Sequence, residues 1–300
     1  MVDITCIAAA VFFLVGNSLN VAYMAKERKK AHFDYAEFTM LDPAYIKEDW
    51  AFRISVQHIE VVGGFINALS WMLFSIPMIQ TAIILSRGGT RQLSNHVSIG
   101  VLVISGCAME FFARFMHLGI SQWGNWLSQE YNLQNWVSPT SNDNIGWRTL
   151  EVSHLVGYGS IIWIDSFEFL CLGFAFILLF VSVNSLPPGG PMISRPLAGF
   201  GLFIGLFSLA DFVAGVLRLK DWSTFRALTM LISVINRLIF LPLFLLFLSF
   251  QLPTAIRLHK EQSEAVSGPT SPRSRHWVDS SSTAAVENSG VEMVTQNGED

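Results

Sequence analysis

Six long apolar stretches limit what this chain can fold into. They lie near residues 4–24, 57–85, 97–119, 154–183, 197–218 and 227–251. A helix needs about 20 apolar residues to cross a hydrocarbon core of about 30 Å, and each stretch reaches that length. The alternating pattern that is typical of barrel strands is absent. The sequence therefore predicts an all-α, polytopic membrane helix bundle with about six transmembrane helices within residues 1–252.

Composition and charge exclude several other classes of protein. Hydrophobic residues make up 51% of the chain and charged residues only 14%, against about 25% charged in an average soluble domain. The net charge of −4 provides no basic surface for nucleic acid. Cys6, Cys107 and Cys171 all lie in apolar stretches and form neither a disulfide framework nor a zinc motif. The predicted location is an integral membrane one, with the lipid bilayer as partner, and the sequence does not specify which membrane.

The segments outside the apolar stretches differ in kind. Residues 120–153 carry four tryptophans, a density typical of a segment at the level of the lipid headgroups, so we expect an interfacial loop there. Residues 253–300 are rich in Ser, Thr and Glu, which predicts a disordered C-terminal tail able to bind cytosolic or lumenal partners. The Lys/Arg bias places both termini outside the cytosol, whereas a tail that contains Ser271-Pro272 favours the cytosol, so the orientation stays open.

Ionisable and amide side chains inside the apolar stretches are the candidate site. A charge in the bilayer interior is costly, so such residues are functional candidates by default. Helical spacing places several of them on shared faces, because residues three or four apart are neighbours on a helix. The predicted proton, cation or substrate site consists of Asp165, Glu168, Glu110, Arg114, Asp211, Arg237 and Asn67.

The balance of these charges points to a function. The deep carboxylates are Glu60, Glu110, Asp165, Glu168 and Asp211, and the deep cations are Arg114 and Arg237. Arg114 is expected to pair with Glu110 on the same helix. Arg237 can then neutralise only one of Asp165, Glu168 and Asp211, so at least two carboxylates are expected to lack a cation. Asp165 and Glu168 lie one turn apart and repel each other when both are ionised, so one of them is expected to hold a proton. This surplus favours a proton- or cation-linked transporter or channel-like protein, which requires no cofactor, over an enzyme.

Two other functions are consistent with the sequence. One depends on the histidines and the other on the ion pairs. Alternating helices place His58, His117 and His154 near the same membrane face, where they could ligate a metal or a haem in an intramembrane enzyme. The usual metal-binding spacings of histidine are absent, so the cofactor stays unknown. In the third hypothesis the charges only fix helix register, and the protein is a receptor, scaffold or assembly factor.

A weak internal similarity relates two pairs of helices. Shifting residues 88–118 by 101 positions places Glu110 on Asp211 and His117 on Arg218. The stretches at 57–119 and 154–218 could therefore be two copies of a helical hairpin. Shared Phe, Leu and Gly content explains the match equally well, so both interpretations stay open.

Overall fold

The computed structural model describes residues 2–30, 43–86, 93–130, 145–185, 193–220 and 222–266. Residues 1–260 form one compact unit, and residues 261–300 form a second, of which only 261–266 are described. No strand occurs in these ranges. The helices are α1 (Ile4–Lys30), α2 (Pro43–Ser86), α3 (Leu93–Glu130), α4 (Ile145–Asn184), α5 (Arg195–Lys220), α6 (Trp222–Ile235) and α7 (Leu241–Val266), and a π-helical turn (Asn236–Phe240) joins α6 to α7.

Six helices in the described ranges are long and apolar enough to cross a membrane. Their apolar spans are Ile4–Tyr23, Ile46–Ser86, Ser94–Glu130, Ile145–Asn184, Arg195–Arg218 and Leu228–Glu261. The sixth runs from α6 through the π-helical turn into α7 without a break. The predicted all-α membrane bundle is confirmed, and the chain is a multi-pass membrane protein.

The helices extend well beyond the predicted stretches, which corrects two expectations. The expected loop at 120–153 is helical up to Glu130 and again from Ile145, so Trp123, Trp126 and Trp147 lie on helices, while Trp136 falls outside the described residues. The tail expected from 253 begins as helix up to Val266, with Pro253 inside α7. An apolar stretch indicates only the part of a helix that lies in lipid. The backbone hydrogen bonds of the helix do not depend on apolar side chains, so the helix can continue into polar sequence.

Sequence neighbours pack as antiparallel pairs. Where α1 meets α2, a Cβ built on Gly16 lies 2.9 Å from the backbone of Asn67. Phe13, earlier in α1, meets Trp71, later in α2, edge-on. The α4–α5 pair has the same order, since Gly173 meets Gly205 and Ser166 meets Gly215. The bundle therefore has two ends, each built from alternate helix starts and helix ends.

The two ends of the bundle differ in polarity. One half, here called the apolar half, contains the start of α1, the end of α2, the start of α3, the end of α4, the start of α5, and α7. Aromatic rings fill it, with Phe13 edge-on to Trp71 at 4.8 Å and Phe176 edge-on to Phe244 at 5.0 Å between centroids. The opposite half, here called the cavity half, holds most of the buried polar residues that form the candidate site.

Helices α4 and α5 touch through glycines, which yields a test of the packing. A Cβ at position 205 would lie 2.9 Å from the carbonyl oxygen of Gly173, whereas a Cβ at Gly199 in the same helix meets nothing within 4 Å. We expect Gly205→Val to lower the free energy of unfolding by about 1–3 kcal/mol, because backbone atoms cannot move aside cheaply. Gly199→Val is the matched control. Thermal unfolding in detergent measures both, and equal melting temperatures would contradict this packing.

Candidate functional site

Five charged side chains meet where the two halves of the bundle join. Arg237 Nη1 lies 3.3 Å from Glu110 Oε1, and Arg237 Nη2 lies 2.9 Å from Asp165 Oδ1 and 3.2 Å from Glu168 Oε2. Arg114 Nε donates to Glu110 Oε1 at 2.5 Å, and its Nη2 lies 3.3 Å from Asp165 Oδ1. We call these five residues the acid–arginine cluster. It brings together five of the seven residues predicted for the site.

Local helix geometry explains how the sequence builds this cluster. Glu110 and Arg114 are four residues apart on α3, and Asp165 and Glu168 are three apart on α4, so each pair shares a helix face. Arg237 projects from the π-helical turn, a kind of distortion that is frequent at functional sites. Its neighbour Asn236 donates to the Ser208 hydroxyl of α5 at 3.0 Å, which holds the turn against the bundle.

Arg237 is held by aromatic rings as well as by carboxylates. Its guanidinium lies 4.8 Å from the centroid of Phe169 and 5.8 Å from that of Trp71. Such contacts between a cation and the face of a ring are attractive, and more so away from water. The residue is only 5% exposed. Arg237 is therefore fixed in place as the central cation of the cluster.

The cluster contains more negative than positive groups when all of its carboxyls are ionised. Three carboxylates face two guanidiniums, and Glu110 and Glu168 are both fully buried. Glu110 Oε2 and Glu168 Oε1 have no hydrogen-bond partner among the described residues. The buried thiol of Cys107, one turn before Glu110 on α3, lies near both of these glutamates. One extra proton shared among the acids would balance the charge of the cluster.

The expected number of carboxylates without a cation needs correction. Arg237 was expected to neutralise one of Asp165, Glu168 and Asp211, but it contacts both Asp165 and Glu168. A guanidinium presents five N–H donors and can serve several acceptors at once. Glu60 is paired with His117 Nε2 at 2.9 Å. In the described part of the chain, Asp211 is the one deep carboxylate with no arginine, lysine or histidine nitrogen within 4.0 Å.

Asp211 stands apart from the cluster. It lies on α5 with 1% exposure, and neither carboxylate oxygen makes a hydrogen bond of ordinary length within the described ranges. The Asp211 carboxyl interacts only with the Ser233 hydroxyl and, at longer range, with the Arg237 charge as favourable partners in the described part of the chain. A carboxyl group in this position is held at a cost in free energy, so the rest of the fold must stabilise it.

Asn67 is placed away from the cluster, at the contact between α1 and α2. Its amide nitrogen lies 3.5 Å from Asn17 Oδ1, and Ser70 donates to its backbone carbonyl at 2.5 Å. It is fully buried and does not line the cavity described next. Its prediction as a site residue is not supported by this placement. An interhelical amide contact explains its polarity.

A cavity of about 240 Å³ lies in the cavity half and ends at the acid–arginine cluster. Apolar walls such as Leu118, Ile161 and Val234 alternate with polar ones. Asp165 lines the cavity and its side chain is 31% exposed, whereas Glu110 and Glu168 are fully buried. The charged and histidine residues of the lining are Arg53, Glu60, Arg114, His117, Glu151, His154, Asp165, Arg218 and Arg237.

The three predicted histidines are not brought together. His117 pairs with Glu60, and His154 Nε2 contacts Arg53 Nη1, so both line the cavity. His58 is exposed and is not part of the lining. Among the described residues, the group with metal-ligand geometry is Glu110, Asp165 and Glu168, with one oxygen of each within 4.8 Å of the others. Arg237 already contacts all three, so a guanidinium holds the place that a cation would take.

Sequence reasoning missed Arg53, which lines the cavity, and the two residues that hold it, Asp49 and Trp50. Trp50 Nε1 donates to Glu151 Oε2 at 3.1 Å, and the Arg53 guanidinium lies 4.8 Å from the Trp50 ring. Arg53 also donates to Asp49 at 2.7 Å. The Asp49–Arg53 spacing of four residues is a helical signal, but it lies before residue 57, where the second apolar stretch begins. Hydropathy alone therefore gives no sign of these first turns of α2.

Comparison with protein-family models, with curated proteins and with solved structures found no match for this chain. The functional argument therefore depends on the geometry of the site.

Proposed function

We propose that this multi-pass membrane protein is a proton-linked transporter or channel-like protein. The observation that carries the proposal is the acid–arginine cluster at the inner end of a cavity with a mixed polar and apolar lining. Asp165 is the cluster carboxylate that lines the cavity, and Glu110 and Glu168 lie behind it, against Arg237. A proton that enters through the cavity meets Asp165 first and then two buried acids that are short of cations.

The arrangement favours a proton over a metal cation. Arg237 fills the space between the three carboxylates, so a metal ion could enter only by displacing a buried guanidinium. A proton needs no such space, and it relieves the repulsion between acids that share two arginines. Asp165 and Glu168 therefore serve as the proton site, with Glu110, Arg114 and Arg237 as charge-balancing partners.

The division of the bundle into two halves also supports this function. In transporters, polar sites near the middle of the membrane are reached from one side at a time. Here the cavity half leads to the cluster, and the apolar half, filled by rings such as Phe74 and Phe176, closes the other side. The π-helical turn that bears Arg237 lies between the halves, where a change of helix geometry would move the central cation.

A second candidate function has one observation in its favour. Every carboxylate of the cluster contacts Arg237, which is the arrangement expected when ion pairs only fix helix register. In that case the protein is a receptor, scaffold or assembly factor and moves no protons. The two candidates differ in a property that can be measured.

Reconstitution into liposomes that contain a pH-sensitive dye tests the proposal. We expect the wild-type protein to carry protons under an imposed membrane potential, alone or with one of a panel of small solutes. Asp165→Asn or Glu168→Gln should abolish this flux, because an amide cannot take up the proton. Glu130→Gln, at the exposed end of α3, is the matched control and should leave the flux unchanged. Intact flux in both cluster variants, or no flux from the wild type, would favour the scaffold instead.

A further inference from the structure

His117 and Glu60 form a pair in the cavity that is separate from the acid–arginine cluster. His117 Nε2 lies 2.9 Å from Glu60 Oε1, and the Ser121 hydroxyl donates to Glu60 Oε2 at 2.8 Å. Both oxygens of Glu60 therefore accept hydrogen bonds, which is the arrangement of an ionised carboxylate. Since a carboxylate only accepts, Nε2 carries the proton of the neutral His117 ring and Nδ1 has a lone pair.

The second ring nitrogen of His117 can exchange a proton with the cavity. His117 lines the cavity and its side chain is 26% exposed, whereas the side chain of Glu60 is 8% exposed. Among the described residues, His117 Nδ1 is not one of the buried polar atoms that lack a partner. A cavity of about 240 Å³ has room for several water molecules, each of which needs about 10–15 Å³. Water can therefore bring a proton to Nδ1.

His117 lies part-way along the cavity, between His154 and Asp165. Its ring centroid is 5.7 Å from that of Tyr158, which follows His154 by four residues on α4 and precedes Asp165 by seven. With a rise of 1.5 Å per residue, Tyr158 is about 10 Å from the level of Asp165. On α3, His117 follows Arg114 by three residues, and Arg114 Nη2 lies 3.3 Å from Asp165 Oδ1. A proton on His117 is therefore one or two helical turns from the cluster.

The contacts of His117 differ from those of His154, which also lines the cavity. A carboxylate, Glu60, touches His117 Nε2, so a protonated ring has its counter-ion in contact. The group that touches His154 Nε2 is the guanidinium of Arg53, so a protonated His154 would face a second positive charge. Histidine is the side chain that ordinarily gains and loses a proton near neutral pH. Of the two rings, His117 is the one placed to carry a proton.

The guanidiniums on either side of His117 have other carboxylates as partners. Arg53 lies 2.7 Å from Asp49, and Arg114 lies 2.5 Å from Glu110. The negative charge of Glu60 is therefore left to balance a proton on His117.

We propose that His117 relays protons from the cavity to Asp165, with Glu60 as its counter-ion. The inference rests on the proposed transporter function and adds one residue to its proton path. His117 Nδ1 takes a proton from water in the cavity, and the ring becomes a cation in contact with ionised Glu60. The same nitrogen then releases the proton to water on the side of Asp165, which takes it up as the first carboxylate of the cluster. Nε2 stays bound to Glu60, so the ring does not turn.

His117→Gln tests the relay in the liposome assay. The amide of glutamine can still donate to Glu60 but cannot carry a proton, so the variant should fold and melt close to the wild type. We expect its proton flux to fall roughly tenfold, less than a general acid–base residue usually contributes, because water alone can still reach Asp165. His58→Gln, at an exposed histidine outside the cavity, is the control and should carry protons like the wild type.

Small rings in the buffer separate a relay from a packing role. In His117→Ala, imidazole should restore part of the flux, because a cavity of about 150 Å³ already holds a benzene ring and imidazole can take up a proton. Pyrazole has the same size but is not protonated near neutral pH, so it should restore nothing. Imidazole also crosses lipid, and the double variant His117→Ala with Asp165→Asn measures that background.

The outcomes distinguish the relay from the transporter itself. Wild-type flux in a folded His117→Gln variant would overturn the relay and leave the transporter standing. Equal rescue of His117→Ala by the two rings, or rescue by neither, would also overturn the relay alone. No proton flux from the wild-type protein would overturn the transporter and the relay together.

Discussion

Replacing Arg237 by methionine is expected to destabilise the protein more than any other single change in the cluster. Methionine retains the packing against Phe169 and Trp71 but removes the cation that contacts Glu110, Asp165 and Glu168. Three carboxylates would then depend on Arg114 alone. Removing one partner of a buried ion pair typically costs about 3–5 kcal/mol, because the charge left behind is buried without compensation.

A second substitution should restore part of that loss. Adding Glu168→Gln to Arg237→Met removes a fully buried negative charge that has lost its cation. The double variant should therefore be more stable than Arg237→Met alone, with a coupling of at least about 1 kcal/mol between the two sites. Arg237→Lys should give an intermediate stability, because a single ammonium group cannot bridge three carboxylates.

Heating in detergent followed by size-exclusion chromatography measures these stabilities. Arg195→Met, at an exposed arginine at the start of α5, is the control and should melt with the wild type. If Arg237→Met melts with the wild type as well, the carboxyls of the cluster are already neutral without Arg237. A double variant no more stable than the single one would show that Glu168 does not carry the charge that Arg237 balances.

Much of the fold could be predicted from the sequence because its main signal is local. A stretch such as 197–218 is apolar over the length that a bilayer requires, and the structure has a span there at Arg195–Arg218. Helix ends were predicted poorly, since hydropathy falls where lipid ends while the helix itself continues. Pro253 illustrates this, because it marked the expected end of order but lies inside α7.

The candidate site was only partly predictable, for a related reason. Spacing within one helix indicated that Asp165 and Glu168 share a face, and both contact Arg237. Contacts between helices depend on rotation and on irregular turns. No pattern in the sequence showed that the π-helical turn would give Arg237 three acceptors, or that His58 would point away from the other histidines. The pairing of Arg53 with His154 is a long-range contact of the same kind.

Asp211→Asn is expected to make the protein more stable and less active. Asp211 is 1% exposed, has no cation within 4.0 Å in the described part of the chain, and leaves both oxygens without an ordinary hydrogen bond there. An ionised carboxylate in this position has lost its water without gaining a partner. A protonated one avoids the charge but still buries a hydroxyl and a carbonyl oxygen without hydrogen-bond partners of ordinary length.

The amide avoids the cost of the charge at nearly the same volume. We therefore expect the free energy of unfolding to rise by about 1–3 kcal/mol in Asp211→Asn. The same chemical change at Asp165 should have the opposite sign, because Asp165 accepts from Arg237 at 2.9 Å and from Arg114 at 3.3 Å. Its loss should be smaller, about 1–2 kcal/mol, since Asp165 is 31% exposed in the cavity and solvent weakens its ion pairs.

Proton flux shows whether Asp211 has a role in function or is only tolerated by the fold. Functional sites often contain groups that destabilise the fold but are needed for activity. Removing such a group should raise stability and lower activity. We expect Asp211→Asn to melt at a higher temperature than the wild type while its proton flux in liposomes falls severalfold. A lower melting temperature would mean that the fold satisfies the carboxylate after all. A higher melting temperature with unchanged flux would show that proton movement through the protein does not require Asp211.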